Sequence, residues 1–308
     1  MTEPMSVTPS DHELPVVVLD DVTGVVGAEI TVLGRLPGGA NGGAFRVQVG
    51  DGASAVLKAA PWAHPGHLDE TWRARRVVEH VREQGYPTPA WLGVGATDTH
   101  VWHLMELVDA APAQELTATL LEELMEIVEL QAGQACEPYD HWAYAWRLAT
   151  GREHGHDLAP TLSAAVAGLP DYSPAVSSLV ERLRLRCADV PAPREAPDMC
   201  HTDLNPGNVL VRGGAVVALV DLGNAGSGTR ATDLVNLVWQ AFEDPLDDLR
   251  QRLWDRILVL VGWDAATVLA ATQVLVSLEV PVRHGRHDDV PGVVMGGHRL
   301  LDELEERR

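Results

Sequence analysis

The chain has 308 residues, of which 46% are hydrophobic, and its formal net charge is −21. This length permits a large core in one domain or two smaller ones, and the acidity argues against nucleic acid as a partner because phosphate binding needs a basic surface. The acidity is compatible with a cationic substrate that a negative field would attract.

The first 15 residues are polar and acidic, without the cationic and apolar regions of a signal peptide, and residues 1–13 are expected to be a disordered tail. The longest apolar run, 265–278, is shorter than the roughly 18 residues that a membrane span needs, so it predicts a buried helix. Cys136, Cys187 and Cys200 have neither disulfide-framework nor zinc-site spacing. We therefore expect a cytoplasmic protein with reduced thiols and no membrane partner; a monomer and a homodimer are both open.

The N-terminal third predicts a small sheet with two helices. Residues 14–27 are expected to form a short helix, and residues 67–84 have a helical period that ends at a glycine followed by prolines. Glycine-rich turns separate the first three strands, as in a β-meander. The predicted strands are 28–36, 44–49, 54–60, 90–95 and 101–107.

Helical patterns dominate after residue 107, beginning with an amphipathic segment at 113–133. The one interruption is an irregular stretch, 198–224, with two short strands. The change places a boundary between an N-terminal lobe, 1–107, and a C-terminal lobe, 108–308. The predicted fold class is α+β, with a small antiparallel sheet lobe and a larger, mostly helical lobe.

The most informative segment is CHTDLNPGNVLVRGGAVVALVDLGNAGSG, residues 200–228. Two hydrophobic strands pair across its RGG turn, with a His-Thr-Asp-Leu loop before the hairpin and Asp-Leu-Gly after it. The hairpin is expected to bring Asp203, Asn208 and Asp221 to one end, since Asn208 is five residues and Asp221 eighteen residues after Asp203.

Such a set suits phosphoryl transfer, in which catalysis consists mainly of positioning and charge neutralisation. A carboxylate and an amide oxygen are ligands suited to Mg²⁺, so Asn208 and Asp221 are assigned to the metal. Asp203 is assigned to orient the attacking hydroxyl and to accept its proton late, and His201 to order the loop by hydrogen bonds. The alternative is a metal site formed by His201 and Asp203 without a nucleotide.

The pattern H-x-D-L-x-x-x-N followed by D-x-G is the protein-kinase-like signature. The version HTDLNPGNVLV with VDLGNAG resembles the aminoglycoside phosphotransferase and choline kinase branch of that fold. The resemblance covers most of the chain, and it implies a nucleotide cofactor, ATP or GTP, together with Mg²⁺.

The resemblance extends to the N-terminal lobe, where LPGGANGGAFRV looks like the nucleotide-flap loop. Glycines there let backbone N–H groups approach phosphates. The loop residues implied to bind nucleotide are Gly38, Gly39, Ala40, Asn41 and Gly42. Lys58, the only lysine in the chain, then falls on the third strand, where this family places the lysine that contacts the α- and β-phosphates. A compact ammonium fits between phosphates from a packed strand better than a planar guanidinium.

Further residues are implied by the same resemblance. A glutamate on the following helix should orient the lysine, and the candidates are Glu70, on the inward face, and Glu79. The segment HLMELVDA looks like the inter-lobe hinge, whose backbone from Glu106 to Val108 would bind the adenine edge. Asp233 matches the aspartate that braces the catalytic loop.

Four features depart from the usual kinase patterns, and the last two bear on the type of kinase. The metal loop reads DLGN without the usual aromatic residue, and Thr229 stands where the family usually has aspartate. Only eleven residues separate Asp221 from Asp233, which leaves no room for a peptide-binding activation segment. Thr202 also replaces the arginine that would bind a phosphorylated activation loop. The acceptor is therefore expected to be a small molecule.

The acceptor is expected to bind between the catalytic loop and helices of the C-terminal lobe, where EPYDHWAYAW could form a wall for a cationic or aromatic ligand. The candidates are Asp140, Trp142 and Trp146. The alternative is that this segment is a core helix with a polar rim.

The expected function is phosphorylation of a hydroxyl group on a small cationic natural product, as in antibiotic-inactivating kinases. The alternatives are a metabolic kinase for choline-, sugar- or amino-acid-like alcohols and a catalytically silent nucleotide-binding regulator.

Overall fold

The computed structural model describes residues 14–36, 43–155, 157–242 and 246–308. The predicted N-terminal tail and the predicted flap residues from Gly38 to Gly42 lie outside the described residues. The chain forms two compact units, which we call the first unit (1–75 and 89–107) and the second unit (76–88 and 108–308). Residues 76–88, which the change in sequence pattern places in the first lobe, group with the second unit.

The first unit contains a five-stranded antiparallel sheet with strand order β1-β2-β3-β5-β4. Every predicted helix and strand of this region is present. The elements are α1 (Val16–Val26), β1 (Ile30–Leu36), β2 (Ala44–Val49), β3 (Ser54–Pro61), α2 (His67–Glu83), β4 (Trp91–Ala96) and β5 (His100–Glu106). Helix α2 begins in the first unit and continues into the second, because the division falls after residue 75.

One face of this sheet packs on α1. The alternating residues Ala55, Leu57 and Ala59 of β3 join a buried apolar cluster with Val18 and Val22 of α1. Successive side chains of a strand point to opposite faces, so the residues between them, including Lys58, belong to the other face.

The second unit is mostly helical. Its elements are β6 (Ala111–Pro112), α3 (Ala118–Glu129), α4 (His141–Thr150), α5 (Pro160–Gly168), α6 (Pro174–Cys187), β7 (Asp198–Cys200), β8 (Val209–Arg212), β9 (Ala215–Leu219), β10 (Gly226–Gly228), α7 (Ala231–Gln240), α8 (Asp247–Arg283) and α9 (Val290–Glu305). Together with the sheet of the first unit, these elements confirm the predicted α+β fold class and its order of sheet before helices.

Helix α3 is shorter than the predicted 113–133. Thr117 caps its N-terminus by accepting a hydrogen bond from the backbone N–H of Leu120 at 3.3 Å. The residues just before, Ala111–Pro112, pair with β8 as strand β6. The amphipathic pattern therefore extends beyond the helix at both ends.

Two short strands, one at the start of the irregular stretch and one just after its end, were not predicted. Strands β7 and β10 have three residues each and pair antiparallel, which is too short for an alternating pattern to be recognised. The predicted hairpin of β8 and β9 is present, with Val209 opposite Leu219.

Helix α8 contains the predicted buried helix at 265–278. Among the described residues it is the one helix long and apolar enough to span a membrane, and 44% of its most apolar 18-residue window is buried inside the protein. Its backbone breaks at Gly262, where φ is 75° and ψ is 176°, so it consists of two shorter helices. Residues such as Trp254, Val268 and Leu275 are fully buried, as in a core helix.

Candidate active site

The candidate catalytic residues lie in the loop between β7 and β8 and at the end of β9. The backbone N–H of Val220 donates to the carbonyl oxygen of Asn208 at 3.0 Å, which extends the β8–β9 pairing by one step. Asp221 directly follows Val220 and is exposed. The hairpin thus brings Asn208 and the start of the Asp-Leu-Gly segment together, as its strand pattern predicts.

Both carboxylate oxygens of Asp203 accept hydrogen bonds from asparagine amides. Nδ2 of Asn205 donates to Oδ1 at 2.7 Å, and Nδ2 of Asn208 donates to Oδ2 at 2.8 Å. The Asn208 amide also donates to the backbone carbonyl of Asp203 at 2.9 Å. Hydrogen bonds to an ionised acceptor are strong, so the carboxylate is held in one orientation. Sequence reasoning missed Asn205, although the Asn-Pro-Gly turn signal was present.

The amide bonds also orient Asn208 for a second role. Because its Nδ2 faces Asp203, its Oδ1 points away, and within the described part of the chain no hydrogen bond is made to this oxygen. Asp221 has left-handed backbone angles, φ 70° and ψ 45°, at the entry to the next turn. These are the two predicted Mg²⁺ ligands.

The donor set fits a magnesium ion that phosphates help to bind. Across the described ranges, no group of three or more His, Cys, Asp or Glu side chains is arranged to hold a metal. Mg²⁺ in phosphate-binding sites uses one or two protein oxygens and completes its shell with water and phosphate. One amide oxygen and one carboxylate fit this requirement, whereas a Zn²⁺-type site would need more protein ligands.

The backbone before Asp203 is fixed by Asp233 of α7, which is fully buried. Its two carboxylate oxygens accept from the backbone N–H groups of His201 at 2.7 Å and of Thr202 at 2.6 Å. Thr202 has φ of 72°, which is unusual for a β-branched residue. The bonds to Asp233 therefore hold a strained backbone next to the candidate catalytic group.

Burial raises the pKa of the Asp233 carboxyl above its ordinary value, while His201 and the two backbone donors act in the opposite direction. The buried side chain of His201 also bonds to the loop on both sides. Its Nε2 is 3.0 Å from the carbonyl oxygen of Val220, and its Nδ1 accepts from the backbone N–H of Asp203 at 3.3 Å. His201 is thus a hydrogen-bonding centre of the loop, the role expected from its sequence position.

A second buried carboxylate, Asp198 of β7, was not predicted. It accepts from the backbone N–H of Gly133 at 3.0 Å and from the Arg230 side chain at 2.9 Å. The Arg230 guanidinium also lies 3.1 Å from Glu129 of α3. Asp198 therefore ties the strand that leads into the catalytic loop to the start of α7 and to the turn after α3.

Three of the predicted nucleotide-binding residues of the first unit lie in described helices or strands. Lys58 is half-buried on β3, opposite Ala44 of β2 and His103 of β5. Glu70 is half-buried near the start of α2, with Oε2 3.3 Å from Nε2 of His64. Glu106 accepts from the backbone N–H of Ala90 at 2.9 Å and so fixes the start of β4. Pairing of Lys58 with Glu70, or with the exposed Glu79, stays a prediction.

The remaining predicted residues lie in the second unit. The Val108 carbonyl accepts from the backbone N–H of Ala110 at 2.9 Å. Asp140 caps α4 by accepting from the backbone N–H groups of Trp142 and Ala143, both at 3.0 Å. Trp142 and Trp146 are buried, and the Trp146 indole donates to the Val190 carbonyl at 3.0 Å. Asp140 caps a helix and both tryptophans are buried, so each of these three side chains has a structural role. Their contact with an acceptor stays a prediction.

The sequence profile of the phosphotransferase enzyme family matches residues 32–269, which is most of the chain. The chain belongs to this family. The predicted resemblance to the aminoglycoside phosphotransferase branch of the kinase-like fold is therefore confirmed. The match includes the catalytic loop, the Asp-Leu-Gly segment and the strand with Lys58. Curated protein sequences give no match.

Solved structures of similar fold cover nearly the whole chain. A thermostable mutant of aminoglycoside phosphotransferase APH(4)-Ia, in a ternary complex with AMP-PNP and hygromycin B, has 18% identity and a TM-score of 0.61, covering 92% of this chain and 98% of that one. A Thermobifida fusca YX-ER1 protein, provisionally named a fructosamine-3-kinase, has 21% identity and a TM-score of 0.56 over 92% and 98% of the two chains.

A third structure is spectinomycin phosphotransferase APH(9)-Ia in complex with ADP and spectinomycin, with 14% identity and a TM-score of 0.55 over 95% and 93% of the two chains. At these identities the likeness concerns the fold, which agrees with membership of the phosphotransferase enzyme family.

Proposed function

We propose that the protein transfers the terminal phosphoryl group of ATP, or GTP, to a hydroxyl of a small, cationic natural product, as antibiotic-inactivating kinases do. The observation that carries the proposal is the Asp203 carboxylate, whose two oxygens are each held by an asparagine amide at 2.7 and 2.8 Å. One of those amides belongs to Asn208, whose oxygen is directed away from Asp203 and is assigned, together with Asp221, to the metal.

Each residue then has a distinct task. Asp203 accepts a hydrogen bond from the acceptor hydroxyl, orients it toward the phosphorus and takes its proton late in the transfer. Asn208 and Asp221 hold Mg²⁺, which when bound neutralises charge on the triphosphate. Lys58 contacts the α- and β-phosphates, while the backbone from Glu106 to Val108 binds the base.

The charge of the protein supports a cationic acceptor. A net charge of −21 attracts a polyamine-like ligand over a long range at low ionic strength. The solved structures of similar fold include enzymes crystallised with hygromycin B and with spectinomycin. This proposal includes magnesium dependence, a role in antibiotic resistance and action in the cytoplasm.

The test is phosphate transfer from MgATP to a panel that contains hygromycin B, spectinomycin, cyclic-peptide and nucleoside antibiotics, choline and a fructosamine. The expected result is transfer to one of the antibiotics. Transfer only to choline or the fructosamine would replace the proposal with the metabolic alternative. Tight ATP binding without transfer to any compound would favour the silent regulator.

The substitution Asp203→Ala tests the task assigned to Asp203. It should lower the turnover number by about 100- to 10,000-fold, the contribution typical of proton transfer to a positioned side chain, while ATP affinity is retained. Asp255→Ala, at an exposed position of α8, is the matched control and should leave both quantities unchanged. Full turnover in Asp203→Ala would refute the assignment.

The lone lysine gives an independent test. Lys58→Arg keeps the charge but replaces a compact ammonium with a planar fork, so both turnover and nucleotide affinity should fall. The reverse exchange, Arg46→Lys, is the control. Arg46 is exposed on the neighbouring strand β2, so turnover and nucleotide affinity should stay unchanged. An unchanged Lys58→Arg enzyme would contradict the phosphate-binding role.

A further inference from the structure

Asn205 contacts the Asp203 carboxylate but has no task in the proposed reaction. Its Nδ2 donates to Oδ1 of Asp203 at 2.7 Å, and its Oδ1 accepts from the backbone N–H of Gly207 at 2.9 Å. The orientation of the amide follows from these partners. A flipped amide would face a carboxylate with an oxygen and a backbone N–H with an NH₂ group, so both bonds would be lost.

The surroundings of Asn205 hold its side chain in this place. Its backbone carbonyl accepts from the N–H of Asn208 at 2.9 Å, which closes the turn. Gly207 has no side chain at the point of contact, and a Cβ there would lie 3.0 Å from Oδ1 of Asn205. Asn205 thus bonds to three groups within the six residues from Asp203 to Asn208, and one of these groups is the candidate catalytic carboxylate.

The two asparagines differ in what else they do. Asn208 offers Oδ1 to the proposed metal, so a substitution there would disturb metal binding and Asp203 together. Both polar atoms of the Asn205 side chain bond inside the loop, and these bonds connect Asn205 to the reaction through Asp203 and through the turn. Its contribution can therefore be separated by mutation.

We propose that Asn205 is a positioning residue, which fixes the rotation of the Asp203 carboxylate so that a defined lone pair of that carboxylate faces the acceptor hydroxyl. The inference rests on the proposed phosphoryl transfer. Without Asn205, the carboxylate would be held at Oδ2 alone and could turn about its last side-chain torsion, a broad and weakly restricted one. A small misplacement of a catalytic group is enough to reduce the rate strongly.

The first variant is Asn205→Ser. A serine hydroxyl can accept from the Gly207 N–H and keep the turn, but it is too short to reach Asp203. The turnover number should fall by about 10- to 100-fold, as for other residues that orient a functional group, and KM for ATP should change by less than about 2-fold. Asn205→Asp also keeps the turn but directs a second carboxylate at Asp203, so its loss should be larger. Gln251→Glu, at an exposed position, controls for the added charge.

A double-mutant cycle with Asp203→Ala separates positioning from general support of the fold. If Asn205 acts through Asp203, then Asn205→Ser should not lower the residual MgATP-dependent rate of Asp203→Ala any further. An equal reduction in both backgrounds would overturn the inference, because the effect of Asn205 would then not depend on the carboxylate.

A second measurement does not depend on activity. In protein labelled with ¹⁵N-asparagine, the side-chain amide of Asn205, assigned from its absence in Asn205→Ser, should exchange slowly with solvent and become fast in Asp203→Ala. Fast exchange in the wild type would overturn the inference. Slow exchange without phosphate transfer to any compound of the panel would instead refute the proposed function, and with it the catalytic task assigned to this contact.

Discussion

Lys58 lies on a regular strand of the first unit, whereas Asp203 lies in an irregular loop of the second unit. An apolar core positions the strand. Leu57 and Ala59 pack with α1, and the residue between them belongs to the other face of the sheet. The loop is placed by buried polar groups, above all Asp233, which bonds to the backbone of His201 and Thr202 from about 30 residues away. The two regions should therefore fail in different ways when they are mutated.

The largest effect is expected at Asp233. In Asp233→Ala the backbone N–H groups of His201 and Thr202 lose their acceptor in a buried place, and each unsatisfied donor costs about 1–3 kcal/mol, so the loss should be about 2–6 kcal/mol. Urea unfolding measures the free energy of unfolding. Asp255→Ala, which removes an exposed carboxylate from α8, is the control. Equal stability of the two variants would show that the loop does not depend on its polar anchor.

The apolar core of the first unit should be sensitive to added side-chain volume. A Cβ at Gly95 of β4 would lie 2.5 Å from the ring of Trp102, which is buried and bonded through Nε1 to Asp21 at 2.7 Å. Overpacking of this kind costs about 1–3 kcal/mol, so Gly95→Ala should lower the free energy of unfolding by that amount.

Gly24→Ala is the matched control for this substitution, because a Cβ at Gly24 in α1 has no atom within 4 Å. In a helix it should be neutral or stabilise by about 0.5–1 kcal/mol. A stable Gly95→Ala protein would mean that the tryptophan ring can move to accommodate the added methyl group.

A smaller effect of opposite sign is expected at Thr202. Left-handed backbone angles cost a non-glycine residue about 1–2 kcal/mol, and glycine loses about 0.4–1 kcal/mol through the entropy of the unfolded chain. Thr202→Gly should therefore stabilise the protein by up to about 1 kcal/mol in thermal unfolding. Thr202→Val keeps the β-branched strain and should give no gain; a gain in both variants would point to another cause.

The smallest effect concerns the thiols, which need no mutation. Cys136 is exposed, whereas Cys187 and Cys200 are buried. Burial raises the pKa of the Cys187 thiol from 9.0 to about 12. Native protein should therefore react with an alkylating agent at Cys136 alone, and denatured protein at all three cysteines. Reaction of Cys187 in the native state would show that the α6 core opens readily.

The same pKa shift has a consequence for stability. The folded Cys187 thiol keeps its proton to higher pH than the unfolded one. Its contribution to the free energy of unfolding is therefore complete below pH 9.0 and is lost as pH rises toward about 12. Alkaline unfolding of Cys187→Ala should show a weaker pH dependence in this window. If the wild type and Cys187→Ala show the same pH dependence, the loss of stability at alkaline pH comes from other groups.

Much of the molecule was determined by local sequence. Glycine-rich turns between short segments predicted the first three strands, and the period of residues 67–84 predicted helix α2, because turn residues and helical periods are local signals. The spacing of Asp203, Asn208 and Asp221 predicted that they lie at one end of a short hairpin, and Asp203 and Asn208 are hydrogen-bonded there.

The resemblance to the family implied that Asp233 braces the catalytic loop, but only the tertiary structure decided which groups bond to each other there. The bonds of Asp233 to His201, of Asp198 to Arg230 and of Asn205 to Asp203 depend on side-chain orientation, and two of the three join residues about 30 positions apart. Hydrogen bonds between distant or turn-forming residues leave no period in the chain, so a buried aspartate looks in sequence like any exposed one. The orientation of the Asn208 amide, with its oxygen directed away from Asp203, follows from its two hydrogen bonds to Asp203.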